Sequence, residues 1–195
     1  MTSERHSEPH CQPPSIVNDL ATLVATGTKF QTILADPPWR YDNVASRAAA
    51  EKHYRTMTIE DICNEPVQQL VGPHAHLHLW TTNAFLEPAF TVMRAWGFEF
   101  KSCLVWIKPT IGMGNYWRVS HEFLLFGVRG NLPFGRNDVC SWVLAPRTTH
   151  SRKPFRFREL IEQVSPGPYL ELYGREEQPN TEWTIFGNQV ARRLF

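Results

Sequence analysis

Apolar residues along the chain fall into short runs, each closed by prolines, glycines or a polar cluster. The run Ile33-Leu34-Ala35 is brief and continuous and ends at Pro37-Pro38, which predicts a buried strand as the first regular element. Thr58 opens a helix in which Asp61 can complete a capping box. Ile62, Val67 and Leu70 form its apolar face, and Pro66 must bend or interrupt it. Residues 74–80 alternate His74, His76 and His78 with Ala75, Leu77 and Leu79, so the imidazoles share one face of a strand. That face reads as an edge or partly wet one; zinc is the lesser alternative, since no second shell of carboxylates is visible. Asn83 is placed to cap a helix that runs to Trp96 and stops at Gly97. Strands are predicted over 98–107, 121–128 and 139–144. Behind Pro154, Phe157, Leu160, Ile161 and Val164 sit at i, i+3, i+4 and i+7, the pattern of an amphipathic helix, which Ser165-Pro166-Gly167-Pro168 breaks. Strands at 169–173 and 183–186 close the series.

Strands alternating with helices imply an α/β fold, a mainly parallel sheet with short connections. In such sheets ligands gather beyond the carboxyl ends of strands. Asp36, Lys108, Arg175 and Asn188 all fall at predicted strand ends, and this convergence points to an enzyme rather than a structural module.

Composition narrows the setting. The 195 residues predict one domain over 15–195 behind a polar, flexible arm at 1–14. The net charge of +1 gives no global pull towards nucleic acid, so such binding must come from a local patch. Cys11, Cys63, Cys103 and Cys140 are far apart in sequence, which argues against zinc and a disulfide framework and for a reducing compartment. No apolar stretch approaches the length of a membrane span. Between Arg147 and Arg158 the chain carries Arg147, Arg152, Lys153, Arg156 and Arg158 and no acid. This cluster either tracks a phosphate backbone, with the loops at 40–53 and 109–119, or is a solvated helix start with an Arg158–Glu162 pair.

The chemistry centres on Asp36-Pro37-Pro38-Trp39. Two prolines stiffen the chain and push Asp36 into extended geometry. They present a carboxylate, a main-chain carbonyl expected to have no competing partner, and an indole. Two acceptors suit the two N–H donors of an exocyclic amino group, and an indole can stack on a flat base. The same residues also read as an ordinary proline turn followed by a core tryptophan.

Asp36-Pro37-Pro38-Trp39, with the signals that follow it, resembles the adenine-N6 methyltransferase family of the MT-A type. In family order these are Tyr54 with Thr56-Met57, Trp80, Val105-Trp106-Ile107-Lys108, His121-Glu122, Ser151-Arg152-Lys153-Pro154, Ser165-Pro166-Gly167, Glu171-Leu172-Tyr173-Gly174-Arg175 and Gly187-Asn188-Gln189. The resemblance runs from about Ile33 to Gln189. It implies a Rossmann-like fold with helices on both faces of the sheet. It also implies methyl transfer from S-adenosylmethionine to adenine N6 of nucleic acid, DNA rather than RNA, in a bacterial or phage-encoded cytoplasmic protein. By the same resemblance Asp36 and the Pro37 carbonyl, with Pro38, would hold the amino group, Trp39 and Tyr54 would flank the base, and Glu122 would border its pocket. Arg147, Arg152 and Lys153 would face the nucleic acid. Lys108, Glu171, Arg175, Asn188 and Gln189, with Asp36, would hold the cofactor, and Asn18 or Asp19 could lie near its adenine. No metal and no membrane are implied, and a homodimer or partner subunit could supply target recognition. Glu177-Gln178 departs from the family's His-Asn pair. Rival readings are RNA as substrate, a non-catalytic nucleic-acid-binding partner subunit, and methylation of a different amino group.

Overall fold

The computed structural model describes residues 16–40, 56–112, 114, 116–148, 152–174 and 182–187. The expected N-terminal arm, Tyr54, Arg175, Asn188 and Gln189 lie outside the described residues. The strands are β1 (Ile16–Val17), β2 (Phe30–Ala35), β3 (Val71–Thr81), β4 (Glu99–Ile107), β5 (His121–Arg129), β6 (Trp142–Leu144), β7 (Tyr169–Leu172) and β8 (Trp183–Phe186). They form one sheet in the order β1-β8-β7-β2-β3-β5-β4-β6. Every neighbouring pair is parallel except β3–β5 and β4–β5, so β5 alone runs against the others. The α/β expectation holds.

The helices are α1 (Leu20–Ala25), α2 (Ile59–Cys63), α3 (Val67–Leu70), α4 (Leu86–Ala95) and α5 (Arg156–Val164). Alternation along β2 divides the core. Ile33 and Ala35 join Leu23, Ile62, Leu70 and Met93 from α1 to α4 on one face. Leu34 faces the other way, with Trp80, Trp106, Phe157 and Ile161, under α5. Helices therefore cover both faces, as the resemblance implies.

Local chemistry explains most boundaries. Thr58 and Asp61 exchange side-chain to main-chain hydrogen bonds in a complete capping box, and Pro66 splits the following helix into α2 and α3. Gly97 ends the α4 region at a φ of +83°, which a side chain would strain.

Four expectations need correction. β1 and α1 precede β2; a two-residue strand and a six-residue helix are too short to leave a periodic signal, and Asp19 marks them only as the cap accepting from Ala21 and Thr22 N–H. Asn83 opens a 3₁₀ turn (Asn83–Phe85) rather than capping α4, and its amide oxygen meets His121 Nε2 at 3.1 Å. β6 is shorter than expected. The histidine strand is central, not an edge: β3 lies between β2 and β5 and buries His76 and His78. Ser165 Oγ lies 2.9 Å from both His76 Nδ1 and His78 Nε2, and the Leu132 carbonyl 3.0 Å from His76 Nε2.

Candidate active site

Strand direction and residue parity bring the charged residues together. Asp36 follows β2, Lys108 follows β4, and Glu122 sits at the start of the reversed strand β5, so all three emerge at one edge of the sheet. Glu171 pairs with Leu34 in register and shares its α5-facing side. Glu122 and Lys108 continue the parity of Leu124 and Trp106, which also lie under α5. The segment entering α5 brings Lys153 onto them.

The result is a chain of alternating charge. Lys153 Nζ lies 2.6 Å from Asp36 Oδ2 and 3.4 Å from Glu122 Oε2, and Lys108 donates to the other oxygen of Glu122. Beside it, Arg158 of α5 donates to Glu171. Three indoles floor the arrangement. Lys108 Nζ sits 4.4 Å from the Trp106 ring centroid, Lys153 Nζ 5.2 Å from Trp80, and the Arg158 guanidinium 5.9 Å from Trp183. Leu34, Asp36, Arg152, Lys153, Glu171 and Tyr173 are among the residues lining the cleft over this network. A separate apolar pocket of about 300 Å³ lies between α5 and β4–β5 and contains none of these ion pairs.

Burial and pairing compete at each charge. Burial alone would raise the Glu122 carboxyl, but Lys153 and Lys108 outweigh it and hold it below the usual glutamate range. At Glu171 burial wins, and Asp36 adds to the rise while Arg158 and Lys153 oppose it. Burial also lowers the Lys108 ammonium, opposed by Glu122 and reinforced by Arg147 and Lys153. The network is thus held together by desolvated pairs whose partners cannot be removed singly without stranding a charge.

In the proline motif, the reading of a turn followed by a core tryptophan holds. Trp39 is a core residue: it is 7% exposed, stacks on Phe85 at a centroid distance of 5.4 Å, and its indole N–H donates to the Trp80 carbonyl at 3.3 Å. An open face for a base is not what this conformation presents. The Pro37 carbonyl does have a partner, accepting from Trp39 N–H at 2.9 Å, while Pro38 accepts from Met57 N–H at 2.9 Å. These bonds pin the motif, and a carbonyl's second lone pair leaves Pro37 able to accept once more. Asp36 itself is tied to β7 through its N–H and the Leu172 carbonyl, 3.4 Å apart.

The basic cluster divides. Lys153 is engaged with Asp36 and Glu122, and Arg158 pairs with Glu171 rather than Glu162, whose carboxylate instead accepts from Trp183 Nε1 at 2.6 Å. Arg147, Arg152 and Arg156 are exposed. The sequence held one signal for Arg158: a carboxylate inside the apolar strand Tyr169–Leu172 requires a cation from the helix that covers it.

Comparison with known proteins fits this geometry. The MT-A70 family model matches residues 30–189. The chain is 32% identical over 176 residues to the human N(6)-adenosine-methyltransferase catalytic subunit METTL3, an alignment covering 83% of this chain and 28% of that one. It is 29% identical over 173 residues to the Drosophila melanogaster N(6)-adenosine-methyltransferase MT-A70-like protein, covering 83% of this chain and 27% of that one. Over 169 residues it is 27% identical to the type II methyltransferase M.MunI of Mycoplasma sp, covering 75% of this chain and 72% of that protein. The chain therefore spans under a third of the METTL3 relative's length and most of the type II enzyme's.

Proposed function

Because the chain belongs to the MT-A70 family, we propose that it transfers a methyl group from S-adenosylmethionine to adenine N6 in nucleic acid. The observation that carries this reading is the Asp36 carboxylate beside a pinned Pro37 carbonyl, at the strand edge where Glu122, Lys108, Glu171, Lys153 and Arg158 converge.

The donor set suits the cofactor. Its methionine end carries both an ammonium and a carboxylate, and the cleft offers both carboxylates and cations within one network. Just beyond β7 and β8 the two chain segments approach closely, and a Cβ on Gly187 would lie 1.9 Å from the Gly174 carbonyl oxygen. Lys108 would meet the methionine carboxylate as a point charge and Glu171 the ribose hydroxyls, with Arg175, Asn188 and Gln189 completing the set. When bound, the cofactor supplies an electrophilic methyl on sulfonium.

The chain's own residues must then make a poor nucleophile adequate. The N6 lone pair is delocalised into the purine. Asp36 and the free lone pair of Pro37 accept its two hydrogens, raise electron density on nitrogen and fix its direction. In the present conformation Lys153 offers Asp36 an N–H donor in the place an amino group would take. The substrate therefore replaces that ammonium, which has Glu122 as its second partner. Tyr54, Arg147 and Arg152 complete the base and backbone contacts in this reading. We propose DNA rather than RNA as the polymer, in the cytoplasm of a bacterium or a phage-infected cell; the similarity to a type II methyltransferase supports the choice of polymer.

The test is direct. The protein is incubated with labelled S-adenosylmethionine and, separately, duplex DNA, single-stranded DNA and RNA, and the products are digested to nucleosides. N6-methyladenine is expected from a DNA substrate, falling by at least about 100-fold in Asp36→Ala. Cofactor binding without transfer to adenine in any polymer would defeat the reading.

A further inference from the structure

The connection between β4 and β5 is a closed hairpin at the active edge. Lys108 N–H donates to the Ser120 carbonyl at 2.7 Å, and Gly112 N–H to Val119 at 2.8 Å. Its base is braced from outside, because a Cβ on Gly112 would lie 2.6 Å from Arg147 Nη2. Its tip is tight: a Cβ on Gly114 would lie 2.3 Å from the Trp117 carbonyl oxygen. On this braced support stand Tyr116 and Trp117, 96% and 89% exposed. Two large aromatic side chains left almost wholly in water, on a turn held by main-chain bonds, contribute nothing to the core. Such surface marks an interaction site.

Charge selects the partner. The sequence from 100 to 121 contains no Asp or Glu, nor does that from 139 to 158. Arg118 follows the aromatic pair directly, and both Arg118 and Arg147 are exposed. Aromatic faces beside guanidinium groups, on segments that carry no Asp or Glu, suit a polyanion with flat rings. We propose that the Tyr116–Trp117 tip is a stacking platform for unpaired nucleotides flanking the target adenine. This deepens the reading of the protein as an enzyme of nucleic acid and rests on it. Lys108, where the hairpin begins, bonds Glu122, which shares Lys153 with Asp36. A strand whose target base reaches Asp36 therefore passes close to the hairpin.

The probe is fluorescein-labelled oligothymidine, which carries no adenine, measured by anisotropy with the full chain against a duplex of equal length. The Tyr116→Ala, Trp117→Ala double variant should bind the single strand about tenfold more weakly or worse, from the loss of one or two stacked bases. Its melting temperature should be unchanged, because both side chains are exposed. The Tyr116→Phe, Trp117→Phe pair should restore most of the affinity, since it restores the rings. On adenine-containing substrate the alanine variant should show a raised KM with kcat little altered. Unchanged affinity in the alanine variant overturns the platform. So does a loss of affinity that accompanies a change from dimer to monomer in sedimentation, which would make the tip a contact between two copies. Oligothymidine binding that depends on 116 and 117, with no adenine methylation, would remove the proposed reaction and leave the platform. Methylation with an unchanged KM in the alanine variant would do the reverse.

Discussion

Ser165 has one hydroxyl and two buried imidazoles to satisfy, and the pattern of partners fixes every proton between them. The Leu132 carbonyl can only accept, so His76 Nε2, 3.0 Å away, is its donor. His76 Nδ1 is then the acceptor and takes the Ser165 O–H, which leaves Ser165 oxygen to accept from His78 Nε2–H. Replacing Ser165 with Ala strands one acceptor and one donor in the core. Chemical denaturation should show a loss of about 2–3 kcal/mol, while Ser165→Thr, which keeps the hydroxyl, should lose less. None of this relay is visible in the sequence, where the histidines show only their alternation. The residue chemistry of the active edge was more legible. Asp36 and Lys108 could be picked out because charges at the ends of apolar strands have few structural reasons to be there, whereas Glu122 and Glu171 were reached only through the family resemblance. What could not be read was how they pair: Lys153 on Asp36, or the Pro37 carbonyl closed onto Trp39 N–H, because both depend on folding a loop back over the strand ends.

The elements with a local cause were readable almost to the residue. β8 spans Trp183–Phe186 as expected, and the core-facing stripe of α5 contains Phe157, Ile161 and Val164. The capping box of α2 was written in Thr58 and Asp61. Thr58→Ala should therefore cost about 1 kcal/mol by removing the bond to Asp61 N–H, and Thr58→Ser, which keeps an acceptor, should cost a few tenths. A thermal melt of the two variants side by side separates capping from any change in packing. Orientation had no such local cause. Nothing in the residues 121–129 says that β5 runs antiparallel, yet that reversal puts Glu122 rather than Arg129 at the active edge. Family order pointed to Glu122, and topology supplies the reason.

At the scale of the whole molecule, burying imidazoles in a central strand makes stability depend on pH. Burial, reinforced by the neighbouring His76, lowers His78 to about 3, and burial also lowers His76. An unfolded chain binds a proton at each histidine near pH 6.5, whereas the folded chain does not. The folded state is therefore fully favoured above about pH 6.5 and loses stability as pH falls towards the folded values. Between pH 7 and 5 His78 alone should cost about 2 kcal/mol of unfolding free energy. The carboxylates act differently in this window. Glu122 is held below its ordinary range, so its contribution is lost only in stronger acid. Glu171 is raised and takes up its proton in the folded state first, so it offsets part of the loss as the medium acidifies. A difference measurement isolates the histidine. His78→Gln stays neutral throughout, as the parent's imidazole does in the fold at pH 7. Its unfolding free energy should then fall by about 2 kcal/mol less than the parent's between pH 7 and 5. Parallel pH curves for the two proteins would show that the strand admits a proton at His78 while folded, and that the relay through Ser165 does not hold the imidazole neutral.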